Sequence, residues 1–294
     1  MTTRTLNPDL CQADRDILLA MTGICLVAGE VTMPYWLDNR PHSQQDGKHW
    51  ICLRNGLIDV RTLLAGEACE TPPEVIPHTP AFFSNVSIPY DYDESATCPT
   101  WDNFIVTNFE GDQDRIAILQ EWYGYNLVHD LTHQKFLMLE GEGNNGKSVI
   151  CAVLSALLGP DNVSSVSLEN FEKDFHLTST LGKLANIVSE AGEIERVGEG
   201  YLKSFTSGDR MSFNRKNRDL VDAIPTARFT LATNNRPRFS DKSGGLWRRM
   251  ILMPLTHIVP ESEKVLGMDK VEWWAANGEL PGVFNWAIEG LRRL

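Results

Sequence analysis

The chain has 294 residues, of which 42% are hydrophobic and 22% charged, and its formal net charge is −12. This composition is typical of a globular protein, and no apolar run reaches the ~18 residues that a membrane span requires. The amino-terminal stretch "MTTRTLNPDLCQ" lacks the pattern of a signal peptide, and the six cysteines form no CxxC pair. We therefore expect a cytoplasmic protein with reduced thiols, no zinc site and no membrane partner.

The first part of the chain is predicted to form a mainly helical domain over residues 1–125. Apolar spacing predicts a helix over residues 13–28, and two short strands around an Asn-Gly turn over residues 49–60. Residues 70–101 contain six prolines and little periodicity, which predicts an extended linker or a loop wrapped on a surface. Helical periodicity returns over residues 101–133.

The second part, residues 126–294, is predicted to be an α/β domain. Its buried strands are predicted at "KFLMLEG", "KLANIVSEAGE", "RFTLATNNRP" and "RRMILMPL". A helix is predicted at "GKSVICAVLSALLG", and further helices at the carboxyl terminus. Buried strands that alternate with helices predict a central parallel sheet with helices packed on it.

The stretch "GEGNNGKSV" fits the phosphate-loop pattern G-x-x-x-x-G-K-[ST], between a predicted strand and a predicted helix. Small residues let backbone N–H groups surround phosphates, and the helix amino terminus favours negative charge. Lys147 would reach the β- and γ-phosphates, the Ser148 hydroxyl would bind Mg²⁺, and Asn144 and Asn145 tolerate a left-handed backbone. The predicted ATP-binding residues are Gly141, Glu142, Gly143, Asn144, Asn145, Gly146, Lys147, Ser148 and Val149. The alternative is a Gly-rich turn that matches the pattern by chance. If the loop binds phosphate, a small-molecule kinase, a GTPase and a motor would all carry it.

Polar residues follow the next two predicted strands, where open parallel sheets place their chemistry. Glu190 ends the second strand, where a carboxylate can orient a water or hold Mg²⁺ through water. The alternative is a solvated acidic loop that includes Glu193 and Glu195. Asn234 ends the third strand and is either a sensor of the γ-phosphate or a turn residue before Pro237.

Basic residues concentrate after these positions. The segment "DRMSFNRKNRDLVDAIP" is predicted to be a β-hairpin, and its tip either is a solvated charge run or binds a phosphodiester backbone. The predicted DNA-binding residues at the tip are Arg215, Lys216, Asn217 and Arg218. Arg248 and Arg249 follow a glycine pair and are either a surface ion-pair site or an arginine finger.

The order of these motifs resembles superfamily 3 helicases, and within them the phage/plasmid and poxvirus-like primase-helicase family. The matching segments are "GEGNNGKS" for motif A, "LANIVSE" for motif B, "LKSFTSGDRMSFNRKN" for the additional motif of this superfamily, "TLATNNRP" for motif C and "WRRM" for the arginine finger. The resemblance covers roughly residues 50–294. No primase domain fits before residue 50, so we expect a motor without one.

The resemblance implies an AAA+ P-loop fold, and a motor that uses ATP and Mg²⁺ to translocate on DNA and unwind it. It implies that Lys147 and Ser148 bind phosphate and Mg²⁺, that Glu190 activates water and that Asn234 acts as sensor. Many members carry two adjacent acids in motif B. Here Ser189 precedes Glu190, which shifts the expected metal coordination towards Ser148 and water.

The resemblance also implies partners. Arg249, in preference to Arg248, is expected to act as a finger on the nucleotide of a neighbouring subunit in a hexamer. Lys216 is expected to contact DNA in the central channel, and a separate primase or replication initiator is a further expected partner. An acidic outer surface fits such a ring, because only the channel must be positive.

Two alternatives remain open from the residues alone. The chain could be a P-loop ATPase that remodels or regulates a protein partner, which a strand-displacement assay would distinguish from a helicase. It could also be a degenerate module that binds ATP and DNA without turnover, which a phosphate-release assay would reveal.

Overall fold

The computed structural model describes residues 33–38, 46–65, 73–173, 175–191, 198–214, 216, 220–237, 239 and 244–294. The helix predicted over residues 13–28 lies outside these residues. None of the described helices combines the length and the apolar content that crossing a membrane requires.

In the second part of the chain two described helices lie between strands, as the sequence predicts, whereas the last four described strands follow one another with no described α-helix between them. The strands are β1 (Tyr35–Trp36), β2 (Trp50–Leu53), β3 (Gly56–Asp59), β4 (Val75–Ile76), β5 (Phe82–Phe83), β6 (Phe136–Glu140), β7 (Val163–Ser164), β8 (Ala185–Ala191), β9 (Met211–Phe213), β10 (Val221–Ala223), β11 (Arg228–Thr233) and β12 (Met250–Pro254). The helices are α1 (Val60–Ala65), α2 (Pro99–Asn108), α3 (Gln113–Leu127), α4 (Lys147–Leu158), α5 (Glu199–Ser207), α6 (Val271–Asn277) and α7 (Leu280–Arg292).

A five-stranded sheet in the order β12-β6-β11-β8-β7 forms the centre of the molecule, and all its neighbouring strands are parallel. This confirms the predicted α/β fold and all four predicted strands. The fifth strand, β7, has only two residues and therefore gives no periodic signal in the sequence. Thr233 pairs with both Glu140 and Ala191, so β6, β11 and β8 end level with one another. We call this edge of the sheet the carboxyl edge.

Both faces of the sheet are covered, which explains the continuous apolar runs in its strands. Along β6, Leu137 and Leu139 belong to one cluster of buried side chains, and Phe136 and Met138 belong to the other. The alternation follows from the two-residue side-chain period of a strand. The first cluster joins the sheet to α2, α3, α4 and α7, whereas the second joins it to α5 and the β9–β10 hairpin.

The described residues before α2 form short antiparallel pairs on this core. The predicted hairpin is confirmed as β2 and β3, and β4 extends it to three strands. Within residues 73–98, Ile88 is fully buried and the Tyr90 hydroxyl donates to the Leu157 carbonyl over 2.7 Å, so this part wraps on the surface of the core. The predicted boundary at residue 125 falls near the end of α3, and the domain division itself stays a prediction.

Helices α3 and α7 pack with their backbones very close together. A Cβ atom on Gly124 would lie 2.4 Å from the Ala287 carbonyl oxygen, and one on Gly290 would lie 2.2 Å from the Gln120 carbonyl oxygen. Such short distances exclude any side chain larger than hydrogen without a backbone shift. The two glycines therefore set the spacing of a helical layer beside the sheet.

Candidate active site

A cavity of about 900 Å³ lies at the carboxyl edge, where α4 begins and β8 and β11 end. It brings together four of the predicted catalytic and metal-binding residues, Lys147, Ser148, Glu190 and Asn234. The other lining residues are Phe104, Gly143, Asn144, Asn145, Gly146, Val149, Ser189, Ala232, Thr233, Val259, Glu261, Glu263, Lys264, Val265, Leu266, Gly267, Met268 and Asp269. Parallel sheets place ligands at this edge because their loops converge there.

The loop of residues 141–146 connects β6 to α4, as the motif predicts. Asn144 has φ 59° and Gly146 has φ 81°, so the chain turns twice through the left-handed region. Of the two asparagines that were predicted to tolerate this region, only Asn144 adopts it. A Cβ on Gly141 would lie 2.5 Å from the Leu255 carbonyl oxygen, and one on Gly146 would lie 2.6 Å from the Asn108 Oδ1 atom. Both glycines are therefore required by close packing.

The Lys147 ammonium is held inside this loop. Its Nζ atom donates to the Gly141 carbonyl over 2.6 Å and to the Asn145 Oδ1 atom over 2.8 Å. Asn145 is itself fixed, because its Nδ2 atom donates to the Leu255 carbonyl over 3.2 Å. Burial lowers the pKa of Lys147. Because burial disfavours the uncompensated ammonium, an anion in the cavity would stabilise its charged form.

The two strand-end residues are exposed to the cavity. Glu190 lies near the end of β8 and Asn234 directly follows β11. Glu193 and Glu195 lie outside the described residues. Among the residues that the structure describes, no three His, Cys, Asp or Glu side chains cluster as a metal site.

An ion pair beside the loop is not evident from the motifs. Arg236 donates to both carboxylate oxygens of Glu140, over 2.6 Å each, and these hydrogen bonds raise the pKa of Arg236. Glu140 is the last residue of β6 and directly precedes the loop. The bidentate pair offsets the negative charge at the cavity's edge. The basic residue was visible in the sequence, but its partner 96 positions away was not.

A second element that sequence reasoning missed is the covering segment, residues 258–269, which follows β12. Its residues Val259, Glu261 and 263–269 line the cavity. The Val259 backbone N–H donates to the Asn144 carbonyl over 2.9 Å. The Lys264 ammonium donates to the Asn144 Oδ1 atom over 3.2 Å and pairs with Glu261 over 2.5 Å. The bonds to Asn144 attach the covering segment to the loop. Its sequence carries no motif, so only the structure reveals it.

The paired arginines lie at the opposite edge of the sheet, in a short 3-10 turn at the start of β12. Neither lines the cavity of its own chain. Arg249 is buried and donates to the Gly245 carbonyl over 2.8 Å and to the Ser207 hydroxyl over 2.7 Å. Arg248 is exposed. The burial of Arg249 therefore favours Arg248 as the arginine that can reach another molecule, the reverse of the order expected from the sequence.

The predicted basic hairpin is present as the antiparallel pair β9 and β10. The Ser212 hydroxyl donates to the Asp222 carboxylate across the two strands. Lys216 is exposed at the tip and does not line the cavity. The other predicted DNA-binding residues, Arg215, Asn217 and Arg218, lie outside the described residues.

Two known families match separate parts of the chain. Residues 28–110 match the family described as "D5 N terminal like". Residues 139–249 match a family of unknown function, DUF5906, and this match runs from the phosphate-loop motif to the paired arginines.

A curated relative matches about half of the chain. Over 157 residues the chain is 25% identical to the protein named "Putative helicase L207/L206" of Acanthamoeba polyphaga mimivirus. The match covers 49% of this chain but only 16% of that protein.

Two solved structures share the fold. The apo structure of the NrS-1 C terminal region has a TM-score of 0.55 at 13% identity, and the match covers 96% of this chain and 62% of that one. A second structure of this region has a TM-score of 0.53 at 14% identity, and the match covers 76% of this chain and 53% of that one. At this identity the solved structures show a shared fold. The family and curated matches confirm the resemblance predicted from the sequence, and they support a helicase-related role.

Proposed function

We propose that this chain is an ATP-dependent DNA helicase of the replicative primase-helicase type, which couples ATP hydrolysis to translocation on DNA and to its unwinding. The observation that carries the proposal is the convergence of Lys147, Ser148, Glu190 and Asn234 on one cavity at the carboxyl edge. These residue types supply the phosphate cation, the metal-binding hydroxyl, the carboxylate and the polar amide that phosphoryl transfer to water requires.

Binding of the triphosphate would exchange hydrogen bonds within the loop. The Lys147 ammonium would leave the Gly141 carbonyl and the Asn145 amide for phosphate oxygens, which are stronger acceptors because they are charged. The first turn of α4 adds its unpaired backbone N–H groups. Charge-assisted hydrogen bonds then replace two hydrogen bonds to neutral acceptors, so the exchange favours binding.

The donor set of the cavity fits Mg²⁺. Mg²⁺ keeps several waters and uses one or two protein ligands together with substrate phosphates. Ser148 would supply one oxygen, and Glu190 would hold a coordinated water. When bound, the ion would neutralise charge that develops on the phosphates.

Hydrolysis needs a positioned water and a sensor of the γ-phosphate. Glu190, exposed to the cavity, would orient the attacking water. Asn234 would hydrogen-bond to the γ-phosphate, and its neighbour Thr233 is held by a 2.6 Å bond from its hydroxyl to the Asn235 carbonyl. Departure of the γ-phosphate would therefore remove a hydrogen bond at the end of β11.

The remaining elements support an oligomer, which we propose is a hexamer. Arg248 lies at the sheet edge opposite the cavity, so its guanidinium could complete the site of a neighbouring subunit but not its own. Lys216 at the hairpin tip would bind the DNA backbone inside the ring. This interaction is electrostatic and independent of base sequence.

Three measurements on the purified chain test the proposal in turn. Equilibrium binding of a fluorescent ATP analogue in Mg²⁺ tests the cavity. Phosphate release with and without single-stranded DNA tests turnover, and displacement of a labelled strand from a forked duplex tests unwinding. If the analogue did not bind, the proposal would be contradicted at its first step, the binding of ATP in the cavity. Turnover without strand displacement would instead favour an ATPase that acts on a protein partner.

A further inference from the structure

The cavity at the carboxyl edge is lined by two chemically different sets of residues. One set is the loop and the strand ends, whose backbone and side chains suit phosphate. The other set is apolar and comes from α2, from α4 and from the covering segment. It consists of Phe104, Val149, Val259, Val265, Leu266 and Met268. A triphosphate alone would leave this apolar set facing water.

Phe104 offers a fixed aromatic surface beside the loop. Its ring stacks on Trp101 at a centroid distance of 5.6 Å and an interplanar angle of 22°, and Trp101 is fully buried. Its Cζ atom lies 2.8 Å from the position that a Cβ on Gly146 would occupy, so the ring lies against the residue that directly precedes α4. A ring supported in this way is preorganised for a flat ligand.

The covering segment presents a second apolar surface through a tight turn. The Val265 carbonyl accepts from the Met268 N–H over 3.2 Å, and Gly267 has φ 83°, which is the requirement of the third position in a type II turn. Leu266 lies at the tip with 96% of its surface exposed. Lys264, directly before the turn, anchors it to Asn144 of the loop. The turn is therefore held over the cavity.

We infer that Phe104 and the turn Val265–Met268 form the nucleobase subsite of this cavity, an inference that rests on the proposed function. A base that stacks on Phe104 and packs against Leu266 removes both apolar surfaces from water while the loop holds the phosphates. The subsite accounts for an exposed leucine among the residues that line the cavity.

The subsite recognises the faces of the base more than its edges. Every base has a π-face, so stacking distinguishes poorly between bases. The covering segment presents exposed polar side chains at the cavity, those of Glu261, Glu263, Lys264 and Asp269. A hydrogen bond from one of them to a base would replace a hydrogen bond to water, so it would discriminate little between bases. We therefore expect GTP to compete with the ATP analogue within about tenfold of ATP itself.

The test compares two ligands that differ by the nucleoside. The affinities of a non-hydrolysable ATP analogue and of inorganic tripolyphosphate are measured for wild type, Phe104→Ala and Leu266→Ser. Phe104→Ala is expected to lower the affinity for the analogue about tenfold or more, because the base no longer has a ring to stack on. The affinity for tripolyphosphate should stay unchanged. Leu266→Ser is expected to act in the same direction with a smaller effect.

Ile258→Ser is the matched control, because Ile258 belongs to the same segment and is 64% exposed but does not line the cavity. It should change neither affinity. The subsite would be overturned if Leu266→Ser lowered the affinities for the analogue and for tripolyphosphate equally, or if neither Phe104→Ala nor Leu266→Ser lowered the affinity for the analogue. In either case, binding of the analogue by wild type would still support the proposed function. If Leu266→Ser changed the oligomer mass and left the affinity for the analogue unchanged, the turn would be assigned to a subunit interface and the subsite would be overturned. Failure of wild type to bind either ligand would overturn the proposed function and the subsite together.

Discussion

Where α3 crosses α7, backbone packs on backbone, whereas at the carboxyl edge of the sheet side chains surround an open cavity. In the helical layer Gly124 and Gly290 leave no room for a single methyl group. At the carboxyl edge Glu190 and Asn234 are exposed to a cavity of about 900 Å³. The helical layer maximises close packing, and the carboxyl edge leaves polar groups available to a ligand.

The difference shows that stability and chemistry occupy separate parts of this chain. A close-packed layer resists any added volume, so substitutions there should change the free energy of unfolding. Polar groups at an open edge contribute little to that free energy, so substitutions there should change activity. Single substitutions on either side of this division should therefore separate the two properties.

The largest expected effect is that of Lys147→Ala, which should abolish ATP turnover because it removes the cation from the loop. Its unfolding temperature should stay close to that of wild type, because removing an ammonium that burial destabilises offsets the loss of its two hydrogen bonds. Phosphate release and thermal unfolding measure the two effects. Lys173→Ala is the matched control at an exposed lysine away from the cavity. If Lys147→Ala retained turnover, ATP hydrolysis would have to be assigned to a site other than this loop.

Arg248→Ala should lower turnover of the assembled protein by about 10³-fold, the scale of the effect of removing an arginine finger. Mixed with wild type, it should depress activity below the proportional average, because each variant subunit disables its neighbour. The phosphate-release rate across a series of mixing ratios measures this.

Arg249→Ala provides the contrast. Removal of the hydrogen bonds to Gly245 and Ser207 should lower the unfolding free energy by about 1 to 3 kcal/mol. Its mixtures with wild type should follow the proportional line after correction for the folded fraction. Dominant inhibition by Arg249→Ala and not by Arg248→Ala would restore the order expected from the sequence.

Lys216→Ala should leave binding of the ATP analogue intact and remove DNA stimulation of turnover. If Lys216 neutralises one phosphate, its removal should reduce the slope of log affinity against log salt by about 0.7 for single-stranded DNA. Fluorescence anisotropy over a salt series measures the slope. The Lys173→Ala protein should keep the wild-type slope. An unchanged slope in Lys216→Ala would assign DNA binding to other residues.

The sequence predicted the elements that depend on neighbours along the chain. Apolar runs identified β6, β8, β11 and β12, and the glycine and lysine spacing identified the loop before α4. These features are local, so periodicity and motif spacing are sufficient to locate them.

The individual hydrogen bonds between distant segments could not be predicted. Lys264 and Asn144 are 120 positions apart, and Arg236 and Glu140 are 96 apart. The different accessibility of the two arginines could not be predicted from the sequence either, because Arg249 is buried beside Ser207, which belongs to a separate helix. Adjacent residues of the same type differ here only through tertiary packing.

The smallest expected effects compare two glycine substitutions in helices. Gly290→Ala should lower the free energy of unfolding by about 1 to 3 kcal/mol, because the new Cβ would lie 2.2 Å from the Gln120 carbonyl oxygen. Gly200→Ala in α5 should instead raise it by about 0.5 kcal/mol, because nothing lies within 4 Å and alanine restricts the unfolded chain. Chemical denaturation measures both, and analogue binding per folded molecule should match wild type in each. Weakened binding in folded Gly290→Ala protein would mean that the helical layer and the carboxyl edge are coupled, because a shift of α7 would then reach the loop through the shared core of α3 and α4.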